Sequence, residues 1–317
     1  MEPNNLTMRP ITGTEELELF NQLPYVLNEE LADDLAQGRR RPEWMWVALR
    51  GDRLLARAAW WCRRGGDAPF VLDVLDVDDS LPEEVRVSTG VRLLSTATAA
   101  TLAGGPPQPP YSRFATPDWR DNALTRRPVR DRMTIAERTG ARLFVERLRL
   151  EWRHGTPVPG PSRRLVFRPA QDETELLALM TLVLDGTLDA HDRDDLTRMS
   201  AREVAAGHYE GELARYTSPR GWWQVAALPA GTPVGFVIPV RNDYGPIIAY
   251  LAVLPGHRGH GYVDDILAEG TRILARHGAP RIRASTDLGN VPMANAFQRA
   301  GYVNFEREIK MAWARAT

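Results

Sequence analysis

Runs of apolar residues along the chain predict strands, which alternate with amphipathic helices. In the N-terminal half, WMWVAL and RLLARAAWW lie on either side of Gly51 and predict a hairpin, and FVLDVLDV predicts the next strand. In the C-terminal half, WWQVAALPAGTPVGFVIPV predicts a second hairpin, and IIAYLAVL at 247–254 predicts a buried strand. Strands mixed with helices predict an α+β (mixed α/β) fold, in which helices flank a mixed central sheet.

The two halves of the chain repeat each other. MRPITGTEEL at 8–17 matches FRPAQDETEL at 167–176, and RTGARLFVERLRLEW at 138–152 matches RAGYVNFEREIKMAW at 299–313. A repeat of about half the length of a 317-residue chain predicts two tandem domains rather than a solenoid. The segment 153–164, RHGTPVPGPSRR, is rich in Pro and Gly and predicts a linker. The predicted domains therefore span 1–152 and 165–317.

Composition and charge narrow the class of protein. Forty basic residues against 41 acidic ones leave a net charge of −1, so we expect no nucleic acid and no membrane surface as a partner. The long uncharged stretches contain several prolines, which exclude a membrane-spanning helix, and the N-terminus does not resemble a secretory signal. The single cysteine, Cys62, cannot form an internal disulfide. These features predict a cytoplasmic protein.

A glycine-rich turn follows the predicted strand of the C-terminal half. The stretch 253–274, VLPGHRGHGYVDDILAEGTRIL, places Gly256, Gly259 and Gly261 before a helix that has one apolar face. Glycines allow backbone amides to converge on a phosphate, and the helix adds its positive N-terminal dipole. The turn is neither a P-loop nor a dinucleotide fingerprint. Taken alone, it fits either an anion site or a tight connection between strand and helix.

A second motif follows about thirty residues later. RIRASTDLGNVPMANAFQRAGYVNFEREI at 281–309 predicts a strand, a loop with Asn290, a helix that ends at Gly301, and a final strand. In order and spacing, the two motifs together resemble the GNAT superfamily of acetyl-CoA-dependent N-acyltransferases. The resemblance covers 164–313. Because of the repeat, the whole chain is similar to the tandem-GNAT arrangement typified by mycothiol synthase.

The resemblance implies an N-acetyltransferase that uses acetyl-CoA as co-substrate, without a metal, and has its active site in the C-terminal domain. It implies that backbone groups of Ala252 and Val253 bind the pantetheine arm and polarise the thioester carbonyl. Asn290 and Met293 would line the other wall of the cleft, together with Phe297. The amides implied to bind the pyrophosphate are those of Arg258, Gly259, His260, Gly261, Tyr262 and Val263. The acceptor would be a primary amine of a small molecule or peptide, and neither its identity nor the oligomeric state follows from the sequence.

Proton transfer is where this chain departs from the family. Phe297 occupies the position of a tyrosine that often protonates the leaving thiolate, and Ile247 and Ile248 replace a frequent glutamate. Tyr250 and Tyr302 are alternative proton donors, although a tyrosine at such a position is more often simply a packed aromatic residue. These departures keep open a second function, that of a non-catalytic acyl-CoA-binding or regulatory protein.

An acidic insertion precedes the C-terminal hairpin and supplies candidates for a base. The segment 185–199, DGTLDAHDRDDLTRM, contains His191 as a potential base and several aspartates that would attract a cationic amine. A solvated turn and helix N-terminus rich in Asp explain it as well. His257 and His260 form an H-x-x-H string on the glycine-rich turn without a visible third ligand, so we predict no metal site.

The first copy of the repeat lacks the glycine-rich turn that would bind a phosphate. Asp78, Asp79, Glu83 and Glu84 stand at the corresponding position, where like charges would repel a pyrophosphate. A helix at 91–102 and the closing strand are still predicted. We therefore expect the N-terminal domain to be a degenerate GNAT-like domain with a supporting role.

Overall fold

A computed structural model describes residues 6–103 and 107–314 of the chain. The chain forms two compact units, one made of residues 1–146 and 307–317 and the other of residues 147–306. Within the described ranges, no helix is long and apolar enough to cross a membrane.

The first repeat contains short helices, a hairpin and a central strand in the predicted order. Its elements are β1 (Leu6–Pro10), α1 (Leu17–Phe20), α2 (Leu31–Ala36), β2 (Met45–Arg50), β3 (Arg53–Trp61), β4 (Val71–Val77), α3 (Glu83–Thr101), β5 (Tyr111–Ala115), α4 (Ala123–Arg138) and β6 (Ala141–Arg153). Helix α3 begins eight residues before the predicted start at 91. Glu83 and Glu84 belong to its first turn, where carboxylates stabilise the helix dipole, rather than to a loop.

The second repeat follows the same order with an additional helical insertion. Its elements are β7 (Val166–Pro169), α5 (Glu173–Val183), α6 (Ala190–Asp195), α7 (Ala201–Gly211), β8 (Gln224–Ala227), β9 (Pro233–Asn242), β10 (Gly245–Val253), α8 (Tyr262–Arg276), β11 (Arg281–Asp287), α9 (Val291–Arg299) and β12 (Val303–Trp313). The acidic insertion forms α6 and the turn before it.

Each unit is closed by a strand that comes from the other repeat. In the first unit, residues 307–311 of β12 pair antiparallel with β5, so that the strands run in the order β1-β2-β3-β4-β5-β12. In the second unit, residues 147–153 of β6 pair antiparallel with β11, which gives the order β6-β11-β10-β9-β8-β7.

This exchange makes the compact units differ from the predicted boundaries at 152 and 165. Residues 147–152 close the second unit, and residues 307–317 belong to the first. The physical reason is that strand pairing, rather than position along the chain, decides where a closing strand is buried. The outermost residues of the predicted domains, 1–5 and 315–317, lie outside the described part of the chain.

Helix α8 holds the central strand of the second unit in place. Its buried side chains include Ile266, Leu267 and Leu274, which share one apolar cluster with Val237 of β9 and Ile248 of β10. The opposite face of the sheet packs against α5 and α7 in a separate cluster that includes Phe236 and Tyr250. The strand β10 is therefore fixed from both faces, and its C-terminal end leads directly into the glycine-rich turn.

Candidate functional site

The strands β10 and β11 of the second unit separate towards their C-terminal ends. They are parallel, and one register pair joins them in the described chain, Ile247 with Arg283. Beyond this pair β10 continues to Val253 and β11 to Asp287. Parallel neighbours in a sheet normally share a continuous hydrogen-bond ladder. The missing ladder leaves a gap that is lined by backbone groups of β10.

The register of β10 on β9 shows which backbone groups face this gap. The Leu254 amide donates a hydrogen bond to Val234 O at 2.8 Å, and a Cβ built on Gly235 would lie 2.3 Å from Ala252 O. Residues 252 and 254 therefore point towards β9. Because backbone groups alternate along a strand, those of Leu251 and Val253 point into the gap.

This geometry changes one part of the prediction from the sequence. The backbone of Ala252, which was expected to meet the pantetheine arm, is turned to β9. The backbone groups of Leu251 and Val253 lie on the other side of the strand, where the Val253 carbonyl accepts a hydrogen bond from Arg258 Nε at 3.2 Å. The two-residue alternation of the strand was visible in the sequence, but its register on β9 was not.

The glycine-rich turn presents unpaired amides at the N-terminus of α8. Gly259 has φ +82° and Gly261 has φ +72°, in the left-handed region that favours glycine. Within the described chain no acceptor is found for the amides of Gly259, His260, Gly261, Tyr262 and Val263, and the N-cap Gly261 has no side-chain cap. Unpaired amides at the positive end of a 15-residue helix make this turn a candidate anion site.

Two arginines hold the turn in this conformation. Arg258, whose amide but not side chain was expected to bind phosphate, donates to Val183 O at 2.7 Å and to Asp185 O at 2.6 Å at the C-terminal end of α5. Arg164 donates to His260 O at 2.9 Å and forms an ion pair with Asp265. Both guanidinium groups bind carbonyl oxygens, which leaves the amides of the turn to face outwards.

The aspartates of the first helical turn are neutralised in the same way. Asp264 pairs with Arg299 of α9 at 2.8 Å, and Asp265 pairs with Arg164. Their carboxylates therefore add little net negative charge to the anion site.

The predicted wall residues on and next to α9 differ in burial. Asn290 caps this helix, since its side chain accepts a hydrogen bond from the Met293 amide at 3.3 Å. Met293 is half-buried, whereas Phe297 is buried with its ring 5.0 Å from that of Tyr302. Asn290 and Met293 lie at the start of α9, and Phe297 packs inside the domain.

The three predicted proton-transfer residues lie in different surroundings. Tyr302 is 3% exposed, and its hydroxyl is hydrogen-bonded to Thr271 at 2.7 Å, which favours packing over catalysis for this residue. His191 is half-buried at the start of α6, with Nδ1 3.7 Å from Asp189 Oδ1. Tyr250 lies on β10 next to the gap, and its ring meets that of His208 edge-on at 6.3 Å. Burial, together with the Asp192 and Asp189 carboxylates, raises the pKa of Tyr250, so its hydroxyl keeps its proton at neutral pH.

Beside Tyr250 lies a cluster of carboxylates that only the fold assembles. Asp189 caps α6, and Asp192 belongs to the same helix. Asp287 ends β11 and accepts a hydrogen bond from the Ala190 amide at 2.6 Å. His208 of α7 places Nε2 3.5 Å from Asp192 Oδ1. His208 and Asp287 were not predicted as site residues, because nothing in their sequence neighbourhood sets them apart.

Electrostatics single out Asp192 within this cluster. It is 5% exposed, and burial, with the nearby Asp189 carboxylate, raises its pKa to about 6, although His208 and a hydrogen bond from Thr187 act in the opposite direction. Burial likewise raises the pKa of Asp287. A carboxyl group with a pKa near neutrality can exchange protons at physiological pH.

We expect Asp192→Asn to stabilise the protein at pH 7.5 by about 1–3 kcal/mol. A carboxyl group with a raised pKa binds its proton more tightly in the folded state, so wild-type stability falls as pH rises from about 4 to 6. The amide removes this penalty, and its advantage should vanish near pH 4. Urea unfolding at both pH values measures the difference. Equal effects at the two pH values would contradict the shift, and the exposed Asp194→Asn serves as a control.

The corresponding gap of the first unit is filled by its own side chains. Strands β4 and β5 share the pair Leu72 with Tyr111. Beyond it, Asp76 forms an ion pair with Arg113 at 2.8 Å, and the Tyr25 hydroxyl accepts a hydrogen bond from the Phe114 amide at 2.9 Å. The guanidinium of Arg113 also stacks on the Tyr25 ring at 3.8 Å.

The turn that follows β4 is closed as well. Arg132 donates to Val77 O at 3.0 Å and pairs with Asp79, while Arg53 pairs with Asp78. Pro82, which has no amide hydrogen, stands at the N-cap of α3. The amides of Asp78, Ser80 and Leu81 in this turn are hydrogen-bonded within the chain, unlike those of Gly259, His260 and Gly261 before α8.

A surface pocket lies beside the glycine-rich turn of the second unit. It has a volume of ≈ 690 Å³ and is lined by the end of α5, by Leu196 and Ala201, and by residues 254–257. No group of three or more His, Cys, Asp or Glu side chains in the described ranges is arranged to hold a metal ion.

Comparisons with known proteins agree with this geometry. Residues 188–302 match the family model described as the acetyltransferase (GNAT) family. A GCN5-related N-acetyltransferase from Sphaerobacter thermophilus has a similar structure, with a TM-score of 0.58 and 15% identity over 98% of this chain and 96% of that one. No curated protein matches the sequence.

Two further solved structures have the same fold. A tandem GNAT protein from the clavulanic acid biosynthesis pathway has a TM-score of 0.53 and 14% identity over 96% of this chain and 97% of that one. A GCN5-related N-acetyltransferase from Kribbella flavida has a TM-score of 0.51 and 13% identity over 90% and 95% of the two chains. At such identities the likeness concerns the fold. Residues 188–302 thus match the GNAT acetyltransferase family, in a chain that has the tandem GNAT fold.

Proposed function

We propose that the protein transfers an acetyl group from acetyl-CoA to a primary amine, and that the transfer takes place in the second unit. The observation that carries the proposal is the row of unpaired amides at Gly259–Val263, which continues the open edge of β10. The turn offers donors to a pyrophosphate, and the strand edge offers donors and acceptors to an extended amide-containing chain.

The arrangement of β10 supports catalysis of acyl transfer. The amides of Leu251 and Val253 point into the gap, so that one of them would donate a hydrogen bond to the thioester carbonyl. A donor at this oxygen stabilises the negative charge that develops when an amine attacks the carbonyl carbon. Holding amine and thioester on the same strand edge also raises their effective concentration.

The proposal makes two measurable predictions, which a single preparation can test. Acetyl-CoA incubated with the protein and a panel of primary amines should release free thiol, detected by a chromogenic disulfide. Calorimetric titration should give one CoA per chain, since the gap of the first unit is filled by Asp76, Arg113 and Tyr25.

Three results would change this picture. CoA binding without thiol release with any amine would favour the alternative, a non-catalytic acyl-CoA-binding protein. Absence of CoA binding would overturn the proposal altogether. Two tight sites per chain would show that the first unit is functional.

A further inference from the structure

The acidic cluster of the second unit carries more negative than positive charge. Arg147 forms ion pairs with Asp287 at 3.0 Å and with Asp189 at 3.7 Å. In the part of the chain that the structure describes, no arginine or lysine is ion-paired with Asp192. Three carboxylates thus face one guanidinium in a mostly buried region. Such a region favours binding of a cation.

One oxygen of Asp192 lacks a donor. Its Oδ2 accepts a hydrogen bond from Thr187 Oγ1 at 3.0 Å. Its Oδ1 is buried and accepts no hydrogen bond, while Nε2 of His208 lies 3.5 Å away. Buried polar atoms are nearly always satisfied, so an unpaired carboxylate oxygen indicates a donor that the protein itself does not supply. An ammonium group would provide that donor together with the missing positive charge.

The cluster lies on the side of β10 from which an acceptor would reach the thioester. Tyr250, whose ring meets that of His208, lies three residues before Val253 on the strand. Tyr250 and Ala252 belong to one apolar cluster with α5, α7 and Leu196, so α7, which carries His208, and the residue that directly follows α6 pack on this face of the strand. An amine held by Asp192 would therefore be positioned close to the edge where the acetyl group is expected.

We propose that Asp192 binds the ammonium group of a cationic acceptor and removes the proton that must be lost before attack. This inference rests on the proposed function, whose acetyl donor it requires. Asp192 Oδ1 takes one proton from the ammonium group, and the neutral nitrogen attacks the carbonyl carbon. The C–N bond forms as the C–S bond breaks. The sulfur leaves with the electron pair and takes up the second proton of the nitrogen.

His208 provides the exit for the proton held by Asp192. Its side chain is 35% exposed, so the ring joins the buried carboxylate to solvent. The net reaction converts an ammonium ion and an acetyl thioester into an acetamide, a thiol and one proton released to water. The charged and titratable groups that face Asp192 are Asp189 and Asp195 of its own helix, His208 of α7 and Tyr250 of β10. Asp287 and Arg147 lie on the other side of Asp189.

The test compares Asp192→Asn with the matched control Asp194→Asn on the same helix. The Asp194 side chain is 42% exposed and pairs with Arg198. The acceptors are 1,5-diaminopentane, pentylamine and 5-aminopentanoate, which share a five-carbon chain but differ in the charge at its far end. We expect Asp192→Asn to lower kcat/KM about 100-fold or more while CoA affinity is unchanged, and Asp194→Asn to behave like wild type.

Two further readouts distinguish proton removal from a structural role. For wild type, log kcat/KM should rise with unit slope up to the Asp192 pKa of about 6 and then level off. In Asp192→Asn this plateau should be lost, and the rate should keep rising towards the pKa of the amine. Among the acceptors, we expect diaminopentane to be best and aminopentanoate worst, because the acidic cluster repels its carboxylate.

The outcomes separate this inference from the proposed function. Wild-type protein that releases thiol with other primary amines of the panel but with none of these three overturns this inference and leaves the proposed function standing, whereas release with no amine at all favours the non-catalytic alternative. If wild type turns over and Asp192→Asn keeps kcat/KM within threefold of wild type, the role of Asp192 alone is overturned. The same follows if kcat/KM of Asp192→Asn depends on pH in the same way as that of wild type. A faster reaction with aminopentanoate than with diaminopentane overturns the cationic acceptor.

Discussion

Gly259→Asp should weaken CoA binding about 100-fold, which corresponds to ~2.8 kcal/mol. Gly259 has φ +82°, and a Cβ at this position would meet no atom within 4 Å, so the substitution leaves the packing intact. The new carboxylate would stand among the unpaired amides where the pyrophosphate is expected, and it would repel that anion. Calorimetric titration with CoA measures the loss. Gly259 is a better position for this test than Gly261. A Cβ at Gly261 would lie 3.9 Å from the Arg164 guanidinium, which would pair with the new carboxylate.

The matched control for this experiment is Gly278→Asp at the other end of α8. Gly278 has φ +74° and equally open surroundings, so both variants carry the same backbone strain of about 1 kcal/mol. We expect Gly278→Asp to bind CoA like wild type. Equal affinities for Gly259→Asp and wild type would show that the turn is a strand-to-helix connection without a phosphate.

Asp76→Asn should destabilise the first unit by about 3–5 kcal/mol. Asp76 is fully buried and forms ion pairs with Arg57 at 2.9 Å, Arg113 at 2.8 Å and Arg132 at 3.5 Å. An asparagine would leave these guanidinium groups without their shared counter-charge in the core. Urea unfolding at pH 7.5, compared with the exposed Asp52→Asn in the hairpin turn, measures the effect. A loss below about 1 kcal/mol would show that the network contributes little.

The same network predicts how wild-type stability depends on pH. Burial opposes ionisation of Asp76, but the three arginines outweigh it and lower the pKa to about 2. A lowered pKa means that the contribution is present above the unfolded value near 4 and is lost as pH falls from about 4 to 2. In Asp76→Asn this part of the acid destabilisation should be absent.

Elements with a local signal were predictable from the sequence. The internal repeat predicted two copies of one domain. The glycines at 259 and 261 predicted a turn, which the structure confirms between β10 and α8. Both depend on patterns within a few residues: the apolar period of a strand, the period of a helix, and the positive φ that glycine allows.

The exchange of closing strands was decided by the tertiary structure. The segments at 138–152 and 299–313 are similar in pattern because they come from the same repeat. Either strand offers the same type of edge to either sheet, and hydrophobic periodicity does not say which sheet a strand joins. Only long-range pairing of β6 with β11 and of β12 with β5 assigned each one.

The chemistry of individual side chains also depended on tertiary contacts. Asp192 and Asp194 are two residues apart in one acidic segment, yet helix α6 buries the first beside His208 and exposes the second. Tyr302, equally plausible as a donor in the sequence, is buried against Thr271. The sequence by itself determined the two repeats, the central strand and the glycine-rich turn, since these follow from local backbone preferences. Only the tertiary structure decided which carboxylates lie close together and are buried, because burial and charge proximity arise from residues far apart in the chain.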